Sequence, residues 1–304
     1  MPVSAPARAA ILTWFDGRGR DLPFRRAHDP YAILVSELMA QQTQVARAAA
    51  AWVGFMAAFP TVQALAAASP ADVLRAWRGL GYNRRATNLR LAAIAIVEGH
   101  GGRVPRDIAS LQRLPGVGPY TARAVAVLGF GEPVGPVDTN VRRVLGRILA
   151  DDPMVGSAAG LQAAADAAAA LGGRPGDWTH ALMDIGATLC TPRRPNCGAC
   201  PAMDWCAYAA ARSTATPAPR KRSSRPPQHS ARPAQTPFPA TSRWLRGRIL
   251  DLLRDAPDGG WTPIAGPIGT HDAQAIRVAL TALSADGLVE LDPVDPGRAR
   301  LPHA

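Results

Sequence analysis

The sequence predicts an all-α fold followed by a small C-terminal module. Up to about residue 210, apolar residues recur at helical spacing, and helix start signals such as Asp29-Pro30 and Ser69-Pro70 precede the apolar runs. Convincing alternation of apolar and polar residues, which marks a half-buried strand, is absent from that region. A chain of 304 residues is long enough for two or three domains with hydrophobic cores.

The charge of the chain favours a polyanionic partner. The formal net charge is +11, and every lysine or arginine position except Lys221 holds an arginine. No stretch approaches the roughly 18 consecutive apolar residues of a membrane helix, and the N-terminus lacks the basic and apolar regions of a signal peptide. We therefore expect a cytoplasmic protein without a membrane partner.

An acidic residue interrupts the first strongly apolar helix, residues 33–45, which read ILVSELMAQQTQV. Apolar residues cover most of the circumference of this helix, and Glu37 shares the remaining strip with Gln41 and Gln44. A carboxylate in such surroundings is costly unless it is paired or its pKa rises until it keeps a proton. We expect the second solution.

Residues 114–122, LPGVGPYTA, predict a tight hairpin between two helices. Gly116 and Gly118 bracket the turn, and the next helix begins at about Pro119, so backbone N–H groups and the helix dipole point outward together. Such a turn can hold a phosphate oxygen without reading a base. An ordinary interhelical turn explains the glycine pair equally well.

A second carboxylate, Asp138, lies immediately before a predicted helix in VGPVDTNVRRVLGRI. The inner face of that helix consists of Val141, Val144, Leu145 and Ile148. The position suits an N-cap, and Asn140 could also anchor the turn.

All four cysteines lie in one stretch with the spacing C-x6-C-x2-C-x5-C: Cys190, Cys197, Cys200 and Cys206. In a cytosolic chain, clustered thiols are read as metal ligands before disulfides. One tight pair with two outlying cysteines favours a 4Fe-4S cluster over zinc, which usually takes two close pairs. The loop between the first two cysteines carries Arg193 and Arg194, which could meet phosphates or simply be solvated.

Residues 213–241 are rich in Pro, Ser and Arg and have no acidic residue, a composition typical of a disordered linker. The linker could be a plain tether or an arm that binds DNA, and its Arg220 to Arg225 cluster would attract phosphate in either case.

Residues 242–304 form the C-terminal module. A helix through Leu245 to Leu253 and a second helix, at about 272–285, precede two extended pieces, 288–291 and 298–301, a pattern that resembles a winged helix.

Six motifs together resemble the helix-hairpin-helix DNA glycosylase superfamily, most closely its adenine-excising MutY branch. The motifs are LPFR (22–25), VSELMAQQTQV (35–45), GLGYNRRATNL (79–89), LPGVGPYTARAV (114–125), VDTNVRRVLGRI (137–148) and ALMDIGATLC (181–190) with the remaining cysteines. The resemblance covers roughly residues 10–210. It implies a two-lobed helical glycosylase region, residues 1–212. One lobe would contain the hairpin (25–133), and an iron-sulfur lobe would combine 1–24 with 134–212.

The resemblance also assigns roles. Glu37 matches the general acid that protonates adenine, and Asp138 matches the carboxylate that stabilises the developing sugar cation, with Tyr120 beside the extruded base and Asn140 supporting Asp138. Gln42 and Tyr82 match side chains that wedge into the duplex. The expected DNA-binding set is Gln41, Gln42, Thr43, Tyr82, Leu114, Gly116, Val117, Gly118, Arg193 and Arg194, and the four cysteines are the expected ligands of a 4Fe-4S cluster.

The resemblance predicts a nucleoid-associated, monomeric enzyme that acts on double-stranded DNA containing a mismatch or an oxidised guanine. Relatives that cut the strand attack the sugar with a lysine where this chain has Tyr120, and the only lysine is Lys221 in the linker, so we expect a monofunctional enzyme. The linker is a candidate docking segment for a repair factor. The domain that typical members use to recognise 8-oxoguanine is not evident, so the sequence does not predict a strict preference for that base.

Two other functions are also compatible with the sequence. The first is excision of thymine or uracil from mismatches, although those relatives usually differ in the Gln41-Gln42-Thr43 tract. The second is a non-catalytic iron-sulfur regulator that binds DNA, which would leave the pairing of Glu37 with Asp138 unexplained.

Overall fold

The computed structural model describes residues 3–214 and 236–303. Its α-helices are α1 (Ala5–Arg18), α2 (Pro30–Ala40), α3 (Val45–Ala58), α4 (Val62–Ala67), α5 (Pro70–Ala76), α6 (Arg84–His100), α7 (Ile108–Arg113), α8 (Pro119–Phe130), α9 (Thr139–Ile148), α10 (Ala158–Ala170), α11 (Pro175–Thr188), α12 (Ala207–Thr214), α13 (Ser242–Asp255) and α14 (Ala273–Ala285). Short 3-10 helices lie at Pro23–Arg26, Pro153–Gly156, Cys197–Ala199, Met203–Trp205 and Phe238–Ala240. The strands are β1 (Thr262–Pro263), β2 (Glu290–Leu291) and β3 (Arg298–Arg300).

The predicted helical fold class is confirmed. None of the described helices has the length and hydrophobicity needed to cross a membrane.

One compact unit of the chain comprises Met1–Leu38 and Val104–Lys221. Its main core is formed by α1, α9, α10 and α11, and its buried members include Ile11, Leu145, Leu161, Trp178 and Ile185. The inner face predicted for α9 is buried in this core. Helix α9 packs against α11, and this contact brings the residues after Asp138 against the helix that leads to the cysteines.

The other compact unit comprises Met39–Arg103 and Arg222–Ala304, so the C-terminal residues belong with α3 to α6. Trp77 is buried after α5 and meets the Phe55 ring edge-on, with the ring centroids 5.8 Å apart. Arg254 at the end of α13 is buried and donates to the Leu74 carbonyl at 2.9 Å. Contacts of this kind join residues that no local sequence pattern relates.

The C-terminal helices confirm the sequence prediction, while the strands differ from it. The extended pieces are shorter than 288–291 and 298–301, and a third strand, β1, completes an antiparallel sheet of order β1-β3-β2. Strand β1 has only two residues, too few to show an alternating pattern. Its pairing with β3, with Thr262 opposite Ala299, is a tertiary contact.

The predicted linker, residues 213–241, lies mostly outside the described residues, as do Lys221 and the Arg220 to Arg225 cluster. Its edges differ from the prediction. Helix α12 continues through residue 214, and the 3-10 helix at residues 238–240 leads directly into α13. The Thr241 hydroxyl accepts from the Trp244 N–H at 3.3 Å, and this cap fixes where α13 begins.

Candidate active site

Glu37 lies on α2 between buried neighbours and lines a cavity of about 330 Å³. Burial raises the pKa of its carboxyl to about 7. A hydrogen bond with Tyr120 opposes this rise, and the charge of Asp138 adds to it. The rise agrees with the expectation from the apolar helix. A carboxyl group of this kind still holds a proton near neutral pH and can donate it.

The structure brings Tyr120 and Asp138 to Glu37. Tyr120 lies in the first turn of α8, directly after the hairpin, and its hydroxyl bonds to the Glu37 carboxyl. Burial, followed by the charges of Glu37 and Asp138, raises the pKa of Tyr120 well above its ordinary value. The phenol therefore stays protonated and holds the acid group by a hydrogen bond. These three residues come from separate motifs and meet within one compact unit.

Asp138 is the N-cap of α9, as its sequence position predicted. One carboxylate oxygen accepts from the Val141 N–H at 2.6 Å, and the other accepts from the Asn140 amide at 3.0 Å. The Asn140 side-chain oxygen accepts in turn from Arg143 at 2.8 Å. Capping and electrostatic chemistry are compatible here, because the cap fixes the carboxylate while the helix N-terminus favours its negative charge.

Close packing of α11 against Asn140 holds this arrangement. A Cβ placed on Gly186 would lie 2.5 Å from Asn140 Cβ and 3.1 Å from its Cα. A side chain at Gly186 would therefore push the start of α9 away from α11 and move Asn140 with it.

We expect Gly186→Ala to destabilise the fold by about 1–3 kcal/mol and to lower the reaction rate at least about tenfold, since Asn140 and Asp138 move together. Urea unfolding and a single-turnover rate measurement check both effects. The control is Gly146→Ala on α9, where an added Cβ meets no atom within 4 Å. Equal stability and rate in the two variants would contradict the packing argument.

The cavity beside Glu37 is lined by apolar and polar side chains in similar measure. Its walls include Phe24, Ile33 and Leu128, and its polar members include Arg25 and His180. A concave site that offers apolar faces together with hydrogen-bonding groups suits a flat organic ligand with polar edges. Glu37, whose carboxyl can still carry a proton near neutral pH, is part of this lining.

His180 on α11 is the second titratable group of this cavity. Burial, and next the positive charge of Arg25, lower its pKa to about 3. The imidazole is therefore neutral and offers one donor and one acceptor. The sequence gives no signal for this role, because the six histidines form no ligand pattern. Only the fold shows that it lines the cavity with Glu37.

Arg25 and Asp184 form a buried pair that the sequence patterns above do not indicate. Arg25 donates to both Asp184 oxygens, at 2.8 and 2.7 Å, and Arg20 adds a bond of 2.6 Å to the same carboxylate. Among the described residues, the Arg25 Nε–H is a buried donor without a hydrogen-bond partner. The sequence contains one signal for this pair. Asp184 interrupts an apolar run of α11, and, like Glu37, a carboxylate in such surroundings needs a partner or a raised pKa.

The hairpin has the predicted form, with its glycines between α7 and α8. Gly116 has a φ of +79°, which favours glycine, and Gly118 caps α8. In the described part of the chain, no acceptor pairs with the backbone N–H of either glycine. The Leu114 and Val117 side chains are only 4% and 6% exposed, so a DNA contact there would involve backbone.

All four cysteines line one small cavity of about 20 Å³. Arg147 on α9 donates to Cys190 Sγ at 3.2 Å and to the Thr191 carbonyl at 2.9 Å, so the helix capped by Asp138 also supports the cysteine loop. Within residues 3–214 and 236–303, no three His, Cys, Asp or Glu side chains lie close enough to ligate one metal ion. A cubane binds one thiolate at each of four irons and accepts wider spacing, so the residues fit that group. Arg193 and Arg194 are exposed on the same loop.

The remaining predicted DNA-binding residues lie in the other unit. Arg85 joins their two segments, because its guanidinium donates to the carbonyls of Gln41 at 2.5 Å and Gly81 at 3.0 Å and to the Thr43 hydroxyl at 3.1 Å. Gln42 and Tyr82 have positive φ angles of 54° and 46°, which non-glycine residues rarely adopt. Both side chains are exposed, and their role in DNA binding stays a prediction.

Comparison with known proteins supports a repair enzyme. A family model described as HhH-GPD superfamily base excision DNA repair protein matches residues 35–156. The chain is 42% identical over 290 residues to the adenine DNA glycosylase of Mycobacterium tuberculosis, covering 92% of this chain and 88% of the relative. It is 45% identical over 210 residues to the human adenine DNA glycosylase, covering 66% of this chain and 38% of that protein.

Solved structures give the same fold. A thermostable thymine-DNA glycosylase matches with a TM-score of 0.61 and 30% identity, covering 67% of this chain and 95% of the other. An endonuclease III–DNA complex matches with a TM-score of 0.55 and 23% identity, covering 68% and 94%, and supports the fold alone.

Proposed function

The chain belongs to the adenine DNA glycosylases of the HhH-GPD superfamily of base excision repair proteins, and we propose that it excises adenine mispaired with guanine or 8-oxoguanine. The observation that carries the proposal is the Glu37 carboxyl, which has a pKa near 7, bonds to Tyr120, interacts with the Asp138 charge and opens on a cavity. Adenine is a poor leaving group. Its bond to deoxyribose breaks when the base receives a proton and a nearby negative charge stabilises the sugar cation.

The residues divide this chemistry between them. Glu37 donates its proton to the adenine as the glycosidic bond breaks, and the Tyr120 hydroxyl holds the carboxyl in position. Asp138 stabilises the cationic sugar until water attacks it, and Asn140 fixes the orientation of that carboxylate. The proton and the negative charge therefore come from two carboxyl groups in different surroundings.

The cavity beside Glu37 is the proposed binding site for the extruded adenine. Its apolar walls suit the faces of a purine. Neutral His180 can bond to the edge of the base without adding a positive charge that would oppose protonation. A DNA duplex with an unstacked mismatch is the macromolecular partner, and one copy of the chain suffices to bind it.

We propose a monofunctional glycosylase that leaves an intact abasic site. Tyr120 occupies the position where strand-cutting relatives have a lysine, and a phenol cannot form a Schiff base with the sugar. Lys221 is the single lysine of the sequence and belongs to the predicted linker.

Thymine or uracil excision is the second candidate, favoured by the structural likeness to a thymine-DNA glycosylase at 30% identity. The discriminating experiment incubates the protein with labelled duplexes containing A opposite 8-oxoguanine, A opposite G, T opposite G, or U opposite G. Alkali then cuts abasic sites. We expect cleavage of the adenine strands only, and only after alkali. Excision of T or U would instead support the second candidate, and cleavage without alkali would contradict the monofunctional assignment.

Asp138→Asn should bind the same duplexes and lose excision by about 10²–10³-fold, because asparagine can still cap α9 but carries no charge. Binding and single-turnover rates on the A opposite 8-oxoguanine duplex measure the two effects. Normal turnover by this variant would refute the role of the carboxylate.

We propose that Cys190, Cys197, Cys200 and Cys206 hold a 4Fe-4S cluster whose role is to shape the loop that carries Arg193 and Arg194. The purified protein should contain about four irons per chain and show a visible charge-transfer absorption band. Replacing Cys200 with serine should lower the iron content and weaken DNA binding. Zinc at one ion per chain would refute the assignment.

A further inference from the structure

The segment that ends at Tyr82 has an unusual backbone. Gly79, Gly81 and Tyr82 have positive φ angles of 83°, 67° and 46°, so three of four consecutive residues lie in the left-handed region. Glycine enters that region without strain. For a tyrosine the conformation costs free energy, and it persists only when the surrounding contacts impose it. Tyr82 matches a side chain that wedges into the duplex, so the contacts that impose this backbone also set where its ring points.

One set of contacts holds the residues before Tyr82. Arg85 is buried in the first turn of α6, and its guanidinium donates to the carbonyls of Leu80 at 3.1 Å and Gly81 at 3.0 Å. The Trp77 indole N–H donates to the same Gly81 carbonyl at 3.2 Å. These bonds come from residues close in the chain, so this half of the segment is fixed by its own neighbours.

The C-terminal module supplies a contact on the other side of Tyr82. Arg254, near the end of α13, donates to the Asn83 side-chain oxygen at 2.8 Å and to the Leu74 carbonyl at 2.9 Å. Its side chain is only 4% exposed, and it also donates to Asp251, one turn earlier, at 3.0 Å. A buried guanidinium with three partners is fixed in position, and its hydrogen bonds are stronger than neutral ones in water. Asn83 is therefore held by a residue 171 positions away in the chain.

Two other contacts of α13 with this part of the unit are exposed. Arg243 lies 4.3 Å from the centroid of the Tyr82 ring, but its side chain is exposed. Asp255 pairs with Arg78 at 2.5 Å, and these side chains are 66% and 48% exposed. Exposed cation–π contacts and ion pairs contribute little, because water and salt screen the charges. Of these three contacts, burial makes that of Arg254 the strongest.

We propose that Arg254 is a positioning residue, which holds Asn83 and thereby fixes the Tyr82 ring in the orientation from which it enters a mismatched duplex. The C-terminal module then contributes to mismatch recognition through the catalytic region, by an intramolecular contact that touches no DNA. The role of Arg254 rests on the proposed function in one respect, since it takes Tyr82 as a residue that enters the duplex.

The test removes the acceptor and leaves the buried Arg254 in place. Within the described part of the chain, the Asn83 side chain makes no cap bond to α6, so Asn83→Ala should leave the start of that helix intact. The full-length protein with its cluster is titrated with two fluorescent duplexes. One has an uncleavable adenosine analogue opposite 8-oxoguanine, and the other is fully paired. The mismatch preference is the ratio of the two dissociation constants.

Asn83→Ala should lower the mismatch preference about fivefold, because the Tyr82 ring loses its fixed orientation while the phosphate contacts shared by both duplexes remain. Asn83→Asp keeps an acceptor for Arg254 and should stay within about twofold of the wild type. The matched control is Asp255→Ala, which removes the exposed ion pair with Arg78 and should also stay within about twofold.

A double-mutant cycle shows whether Asn83 acts through Tyr82. Tyr82→Ala should lower the mismatch preference about tenfold, and adding Asn83→Ala to it should cause no further loss. Additive losses would mean a merely structural role and would overturn the proposal. A wild-type preference in Asn83→Ala or in Tyr82→Ala, or a loss in Asn83→Asp equal to that in Asn83→Ala, would overturn it as well. Neither duplex is cleaved, so a failure to excise adenine in the substrate comparison would refute the proposed function without changing these ratios.

Discussion

Glu37→Gln should lower the single-turnover rate of adenine excision by about 10²–10⁴-fold, because glutamine keeps the size of the side chain but has no acidic proton to donate. The measurement uses excess enzyme on a duplex with A opposite 8-oxoguanine, followed by alkali. Binding to an uncleavable duplex is the control and should be retained, since the variant loses only the proton. A rate within tenfold of the wild type would contradict the role of general acid.

The pH dependence of the wild-type rate follows from the same group. Burial is the main cause that raises the pKa of Glu37 to about 7, and the protonated form is the donor. The excision rate should therefore fall as pH rises through about 7, by roughly tenfold for each further pH unit. A rate that stays level between pH 6 and pH 8.5 would show that another group supplies the proton.

The Glu37→Gln substitution should increase the stability of the fold in alkaline buffer. The folded-state pKa of Glu37 is raised above its unfolded value, so its contribution to stability is fully present below the unfolded pKa and is lost as pH rises through about 7. At pH 8 the Glu37→Gln variant should be more stable than the wild type by up to about 3 kcal/mol, and near pH 5 the difference should largely vanish. Urea unfolding at the two pH values checks this result.

Asp184→Ala should destabilise the protein by about 3–5 kcal/mol, because it leaves Arg25 and Arg20 without the buried carboxylate that both contact. The control is Asp177→Ala on the same helix, which removes an exposed partner of Arg174 and should cost less than about 1 kcal/mol. Urea unfolding at pH 7 measures both variants. Similar losses of stability in the two would show that the buried ion pair contributes no more than the exposed one.

The contribution of Asp184 has the opposite pH dependence to that of Glu37. Burial raises the pKa of Asp184, but the hydrogen bonds from Arg25 and Arg20 outweigh it, and the net effect is a lowered pKa. The stabilisation is therefore present above the unfolded pKa, near 3.9, and is lost as pH falls through the lower folded value. The difference in the free energy of unfolding between the wild type and Asp184→Ala should therefore become smaller in acid.

Helix α9 connects the chemistry to the cysteine loop. Its N-cap is Asp138, and two arginines further along donate to that loop. Arg143 reaches the Cys190 carbonyl at 2.6 Å, and Arg147 reaches Cys190 Sγ. The orientation of the carboxylate and the conformation of the loop thus depend on one helix. We therefore expect a substitution that shifts the cysteine loop to alter the position of Asp138, and a substitution at Asp138 to alter the loop.

The sequence by itself determined the features that depend on local spacing. Helical periodicity and capping residues predicted the helical class, α9 and both C-terminal helices, and the glycine pair predicted the hairpin. The apolar surroundings of Glu37 along its own helix were enough to predict a raised pKa. The helix and hairpin inferences succeed because neighbours within one or two turns dominate the free energy of such features. The pKa of Glu37 follows from the apolar helix only because an apolar helix is buried when the chain folds.

Only the tertiary structure decided which of these residues meet. Arg25 and Asp184 are 159 positions apart, and the contact of Tyr120 with Glu37, the fit of Gly186 against Asn140 and the stacking of Arg243 on Tyr82 likewise join distant segments. Such contacts depend on how whole helices pack, because a side chain reaches its partner only after the core has fixed both backbones. The reactive side chains can therefore be identified from the sequence. The cavity in which they would meet a substrate forms only when the chain folds.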